Sequence, residues 1–523
     1  MTQLIAISVG PVQDFIAAAR RTNDLYAGSE LLSRIATEAA RTAESLGAKL
    51  IFPADPDADA ANKILAEFSG DPKPALEKIR RDAEGVLRDE WRQVAERYGK
   101  HLAVERGDKQ VAGFLEFFAA WYPWDGTDAT YPAARLAVER LLAGRKALRE
   151  FVQPEKNNVP KSPLDPSRDS VVAAERPDEV LGDHPFRLKP NEQLDAVSLV
   201  KRGLAAKRGG QTPSTVDIAA RTYLADRPAI AEQLRNLGVP EGAVFPGRRA
   251  ELVEEGVLTE TDADQIAELV RAEPNPYFAI LVADGDRMGA KIGELKSADE
   301  HRRFSRQLAD FAASVGALVR ELQGFLVYAG GDDVLAFLPV HTALDAAARL
   351  AESFHKQTGL NMTVGLAVVH YREPLYLTLA EGRRVEKEAK RAGRNRLRVE
   401  WIARGGQNRT ADWEWSRGFD LAEWNDWREA VANGLSRGFA YELAALARNL
   451  APADLPPALV RAEAERVLKR KERDGARLDP SKLAVWQDFF TQDRTAADLG
   501  RLAELLVLLH TFAHRTETQE DRS

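Results

Sequence analysis

Four aspartates in this chain are spaced so that they could do chemistry. Asp284 and Asp286 form an Asp-Gly-Asp, and Asp332 and Asp333 follow a glycine pair, Gly330 and Gly331. Carboxylates held close together repel one another unless a cation neutralises them. Hard oxygen donors of this kind select Mg²⁺ or Mn²⁺ over softer metals. Two such ions about 4 Å apart can activate an attacking hydroxyl and stabilise a leaving phosphate. The residue types therefore point to nucleotidyl transfer, with Asp284, Asp286, Asp332 and Asp333 as the carboxylates that would share the metal. Gly330 and Gly331 would let a nucleotide lie against bare backbone. Lys390, followed by Arg391, Arg394 and Arg396, supplies cations for its phosphates.

The flanking sequence says how these residues come together. Tyr277 to Ala283 reads as a buried strand that ends at Asp284, and 297–322 reads as an amphipathic helix. Residues 325–329, the glycine pair, and 332–339 read as a β-hairpin, the two glycines supplying the positive φ of a tight turn. A helix at 342–356 and a strand at 362–369 complete βαββαβ, the ferredoxin-like order. In that topology the first and third strands are neighbours, so Asp284 and the hairpin aspartates should converge. A helix at 374–392 and a strand at 396–402 extend the unit.

The rest of the chain reads more coarsely. Leu4 to Val9 is a strand, broken by Gly10-Pro11 and followed by a helix, and 49–52 is a returning strand. From about 72 to 150 the pattern is helical, with an aromatic stretch at 114–124. Seven prolines fall within 153–190, at 154, 160, 163, 166, 177, 185 and 190, marking either a long surface insertion or an interaction loop. Residues 194–200 read as a strand, 230–270 as helix, and everything from about 419 onward as a helical bundle. The fold class expected is α+β multidomain: two ferredoxin-like palms, a helical connector and a C-terminal α-helical bundle. The expected boundaries are a first palm with helical insertion at 1–150, a linking domain with a Pro-rich loop at 151–272, the second palm at 273–410 and the bundle at 411–523.

Composition narrows the field further. With 523 residues the chain is long enough for three or four domains. It holds no cysteine, which excludes disulfides, thiolate zinc or iron–sulfur sites and a cysteine nucleophile. A net charge of −7 argues against a simple polybasic nucleic-acid coat. No signal peptide or 18-residue apolar run is present, so a cytoplasmic protein without a membrane span is expected. His510 and His514 stand one helical turn apart, and Lys469, Arg470, Lys471 and Arg473 form a basic cluster. Both fit ordinary surface positions better than sites. No Walker A, HExxH or GxGxxG sequence is present, and Gly285, Gly289 and Gly293 read as loop and helix-packing positions.

Several separated motifs together resemble the large palm-domain subunit of type III CRISPR effector complexes, in the Cmr (III-B) branch. They are ISVGPVQDFIAAARRTNDLYAGSELLS (7–33), GRKALREF (144–151), VPKSPLDPSRDSV (159–171), EQLDAVSLVKR (192–202), TPSTVDIA (212–219), ADGDRMG (283–289), AGGDDVLAFLP (329–339) and EKEAKRAGRNR (386–396). The resemblance implies two facing palms and a C-terminal bundle that packs with small helical subunits, beside backbone subunits, CRISPR RNA and target RNA. It implies RNA-activated conversion of ATP to cyclic oligoadenylate, with Asp284, Asp332 and Asp333 holding the metals and a Gly28-Ser29 turn contacting a second ATP. Many relatives also carry a His-Asp nuclease domain and a cysteine zinc module. No His-Asp dipeptide and no cysteine occur here, so neither DNase activity nor zinc is expected. A free-standing GGDEF-like cyclase and a catalytically silent nucleotide-binding scaffold are the competing readings.

Overall fold

The computed structural model describes residues 2–58, 62–148, 158–173, 181–182, 186–207, 212–270, 274–416, 421–432, 435–452, 455–472, 484–491 and 493–512. His514, Arg473, Pro154, Pro177, Pro185 and the side chains of Lys469, Arg470 and Lys471 lie outside what is described.

The first sheet holds β1 (Thr2–Gly10), β2 (Lys49–Phe52), β3 (Lys63–Ser69) and β4 (Glu116–Pro123), in the order β2-β3-β1-β4. Every pairing in it is antiparallel. Helix Thr22–Ser45 connects β1 to β2 and helix Pro72–Tyr98 follows β3, so the unit is βαββαβ. β4 falls inside the stretch expected to be helical. It is an edge strand, and Trp121 and Tyr122 are 42% and 40% exposed there, so it lacks the strict in-out alternation that signals a strand. Its aromatic content is the strand signal that the helices on either side mask. Residues 194–200 give the opposite correction, because helix Ala196–Lys207 begins within them. That helix is buried on nearly every side, so its apolar residues show no amphipathic period.

The second sheet runs β10-β9-β8-β5-β7-β6, built from β5 (Tyr277–Gly285), β6 (Phe325–Gly330), β7 (Asp333–Pro339), β8 (Met362–His370), β9 (Arg396–Trp401) and β10 (Arg409–Glu414). β5 to β8 reproduce the expected ferredoxin-like order. β9 adds in parallel to β8, and β10 continues the sheet past the boundary expected at 410. Both faces of β5 are covered. Phe278, Ile280 and Val282 join a core shared with the first domain, the connector helices and helix Leu375–Arg391. Ala279, Leu281 and Ala283 join a second core under helices Ala298–Glu321 and Ala343–Thr358, which runs on into the C-terminal helices through Trp427 and Leu506. Burying such side chains contributes roughly 1.5–3 kcal/mol each. No helix among the described residues is long and apolar enough to cross a membrane.

Helix Ala298–Glu321 also grips the first domain. Arg302 donates to the Leu50 carbonyl at 2.8 Å and pairs with Glu67. His301 Nδ1 lies 2.8 Å from Tyr131 Oη of helix Tyr131–Ala147. Burial, aided by Arg135, pushes the His301 imidazole down to about 4 from 6.5. It therefore stays neutral in the fold but takes up a proton when the chain unfolds between those values. Stability contributed this way is complete above 6.5 and declines as pH falls towards 4, by at most about 1.4 kcal/mol per pH unit. His301→Gln, compared with the native chain in urea unfolding at pH 7 and pH 5, should show a shallower loss. An identical loss in both would refute this coupling.

Candidate active site

β5 carries apolar residues up to Ala283, and its next residue is Asp284. β7 runs antiparallel beside it, with Asp284 opposite Asp333 and Ala283 opposite Val334. The expected convergence thus follows directly from strand register. At the turn Gly331 takes φ +74°, while Gly330 stays extended as the last residue of β6. Only one of the two glycines therefore serves the turn conformation. Around both, a Cβ atom would meet nothing within 4 Å, so the hairpin backbone faces open space. Gly285 is the tighter position: a Cβ there would lie 2.9 Å from the Asp332 Cβ, and its N–H donates to the Asp332 carbonyl at 3.1 Å.

The electrostatics are unbalanced. Burial first, and then the neighbouring Asp284 charge, push the Asp332 carboxyl up to about 7 and that of Asp333 to about 6. Tyr328 Oη donates to Asp333 Oδ2 at 3.2 Å. Lys390 Nζ lies 2.5 Å from Asp284 Oδ2 and 2.7 Å from Glu386 Oε1. Burial works to lower this ammonium, but the two carboxylates outweigh it and hold it above its usual range. Burial likewise lifts the Glu386 carboxyl.

Glu386 is thus a further carboxylate beside the site, one the expected set omitted. Its signal is the EKEAK spacing, which places Glu386 and Lys390 one helical turn apart. Tyr328, five residues before Asp333, was also missed. Helix Leu375–Arg391 comes close enough to contribute because a glycine faces it on the sheet. A Cβ on Gly365 of β8 would lie 2.5 Å from the Glu386 backbone nitrogen.

Asp286 behaves differently from its neighbours. Both its oxygens accept from Thr363 Oγ1, at 2.8 and 3.0 Å, and Oδ2 also accepts the Asn395 N–H at 2.8 Å. It ties β8 to the loop before β9, where Arg394 and Asn395 both have positive φ. These bonds give Asp286 a positioning role. Among the described residues, no group of three or more His, Cys, Asp or Glu side chains is gathered closely enough to hold a metal ion as they stand. The donor set nevertheless fits a hard dication. Asp284, Asp332 and Asp333 offer only oxygens, and the upward shift of the last two comes from burial first and then from the Asp284 charge, a repulsion such an ion would relieve.

A cavity of about 1520 Å³ opens beside the hairpin. Gly330, Asp332, Asp333 and Tyr328 form one wall, and Tyr26 and Ser29 of the first domain form another. Ser29 is therefore brought to the hairpin as expected, but Gly28 is not. The two lie within helix Thr22–Ser45, not in a turn, and Gly28 faces away, where a Cβ would meet Lys201 Cε at 3.1 Å. Its small size makes room for a buried lysine. Asp284 and Lys390 are not among the residues that line this cavity.

Two family models match the chain. One, for the Cas10/Cmr2 second palm domain, covers residues 277–398. The other, for the N-terminal domain of CRISPR-associated protein Cmr2, covers residues 4–123. The chain is 30% identical over 231 residues to CRISPR system Cmr subunit Cmr2 of Pyrococcus furiosus, a stretch covering 37% of this chain. That stretch spans about a quarter (26%) of the relative's length. Among solved structures, a type III-B Cmr-beta complex bound to cognate target RNA has a chain of similar fold. Its TM-score is 0.66 at 12% identity, covering 98% of this chain and 83% of that one. A Csm1–Csm4 cassette in complex with pppApApA is similar at TM-score 0.51 and 15% identity, covering 97% and 69%.

Proposed function

Because the chain belongs to the Cas10/Cmr2 family, with a Cmr2 N-terminal domain and a second palm, we propose that it is the large subunit of a type III-B RNA-guided complex that makes cyclic oligoadenylate from ATP. The observation that carries this is the Asp284–Asp333 register on a glycine hairpin that shares its cavity with Ser29 of the first domain. Support for ATP-derived ligands comes from the similar Csm1–Csm4 fold, solved with pppApApA. Support for a complex with other Cmr subunits, CRISPR RNA and target RNA comes from the Cmr-beta structure.

In this reading one ATP lies along the bare backbone of Gly330 and Gly331, and a second reaches across the cavity to Ser29. Asp284, Asp332 and Asp333 would hold Mg²⁺ or Mn²⁺, which when bound neutralises phosphate charge and sharpens the attacking hydroxyl. The 3′-hydroxyl of one ATP attacks the α-phosphate of the other, a P–O bond forms, and pyrophosphate leaves. The chain contributes position more than covalent chemistry, aligning two nucleotides in line. Lys390, beside Asp284, supplies a positive charge for the triphosphate. Asp286 keeps the loop after Lys390 in place.

The test uses the assembled complex with guide RNA, Mg²⁺ and radiolabelled ATP. Oligoadenylate that appears only with matched target RNA is expected. Turnover of GTP by the chain without RNA, or ATP binding with no product under any condition, would overturn the reading.

A further inference from the structure

The ammonium of Lys390 is bracketed by two carboxylates, and one of them is a proposed metal ligand. It lies 2.5 Å from Asp284 Oδ2 and 2.7 Å from Glu386 Oε1. Among the described residues, Asp332 and Asp333 on the hairpin have no ammonium in ion-pair contact, and Asp333 accepts from Tyr328. Glu386 Oε1 is buried, and Lys390 is the cation it is paired with. With the Lys390 ammonium 2.5 Å from one oxygen of Asp284, a dication at the same carboxylate is repelled strongly in a partly buried site.

We propose that Lys390 is an internal counter-ion, held between Asp284 and Glu386 in the cation-free state, and that a divalent cation binding Asp284 displaces it towards the nucleotide's phosphates. This rests on the reading of the site given above and deepens it. Lys390 is then a positioning residue with two settings. Glu386, one helical turn before it, keeps the displaced ammonium within reach of the site. The consequence is an interlock: cation binding without nucleotide is weakened by competition with Lys390, and the free ammonium becomes available only once the cation is in place. Two ligands that each favour the same setting of one group bind with positive coupling, typically 5- to 150-fold by order of magnitude (roughly that range).

The test measures Mn²⁺ alone binding to the full chain, by the electron paramagnetic resonance of free Mn²⁺. Lys390→Met removes the competing charge and should tighten Mn²⁺ binding by about tenfold. Lys390→Arg keeps the charge and should bind Mn²⁺ as the native chain does, which controls for altered folding. A second readout is the rate at which an amine-acylating reagent labels Lys390, followed by peptide mass spectrometry. Saturating Mn²⁺ should raise it by about fivefold or more. Mn²⁺ binding that is equal or weaker in Lys390→Met, or labelling that Mn²⁺ leaves unchanged, would overturn the interlock. If the native chain binds Mn²⁺ and Asp332→Ala with Asp333→Ala abolishes it, the metal site stands even should the interlock fall. No Mn²⁺ binding at all by the native chain would overturn both.

Discussion

Asp332→Ala combined with Asp333→Ala should lower oligoadenylate synthesis by roughly 10³-fold or more while leaving the chain at least as stable. Removing a single preorganised charge-stabilising group commonly costs about 10²–10³ in rate, and here two of the three proposed metal ligands go together. The stability half of the expectation comes from the opposite sign of the same electrostatics. Burial and the Asp284 charge raise both carboxyls, to about 7 and about 6, above the 3.8 of a free aspartate. A carboxyl with a raised folded-state value favours the fold when protonated. That benefit is present at low pH and is lost as pH rises from about 3.8 through the folded value. Above pH 7, without a cation, both groups burden the fold, and alanine relieves them. Radiolabelled ATP turnover by the assembled complex, with thermal unfolding of the same variant in chelator at pH 8, checks both halves. Persistent synthesis would move the active site elsewhere. A large fall in Tm would make the aspartates structural.

Asp24→Ala should destabilise the chain by about 3–5 kcal/mol, the largest stability effect expected of any single change discussed here. Asp24 sits on helix Thr22–Ser45, and Arg202 reaches it from helix Ala196–Lys207 through two close contacts, Nε to Oδ1 at 3.0 Å and Nη2 to Oδ2 at 2.9 Å. Both side chains are almost completely buried. Beside them lies a second buried cation, Lys201, which donates to the carbonyls of Phe15 and Ala18. Burial pushes its ammonium down to about 8, with Asp195 and Asp24 acting to raise it. Removing Asp24 would leave Arg202 with only Glu192, at 3.3 Å, as a carboxylate partner. Replacing the pair together, Asp24→Leu with Arg202→Met, should recover most of the loss, because apolar side chains of similar size need no charge partner. Urea unfolding of the three variants measures this. A double variant as unstable as Asp24→Ala would refute it. The contact matters beyond stability, since the helix bearing Asp24 also carries Ser29 to the cavity wall.

The second palm was largely legible because its signals are local and agree with one another. A buried apolar run ends in Asp284, a glycine pair marks the turn, and amphipathic helices separate the strands. The first domain was less so. β3 gave no signal strong enough to note, and β4 carries aromatics at a partly exposed edge. Helix Ala196–Lys207 buries Lys201 and Arg202 among its apolar residues, so nothing in its pattern marks a solvent side. A short buried run reads alike as strand or helix until its neighbours are known. Gly28 shows the same limit at a single residue. A glycine beside a serine suggests a turn, but its use here is to clear space for a lysine 173 positions away in the chain (201 − 28).

The amino-acid sequence by itself determined the ferredoxin-like order of the second palm and the meeting of Asp284 with Asp333. Each follows from a short-range pattern combined with a topology that allows few alternatives. Only the tertiary structure decided what each carboxylate contacts. It engaged Asp286 with Thr363 and Asn395, brought Glu386 in through the gap left by Gly365, and set Lys390 against Asp284. The reason is that charge balance in a buried site is a sum over everything packed around it. Residues 284, 333, 363, 386 and 390 become neighbours only when strands and helix close together.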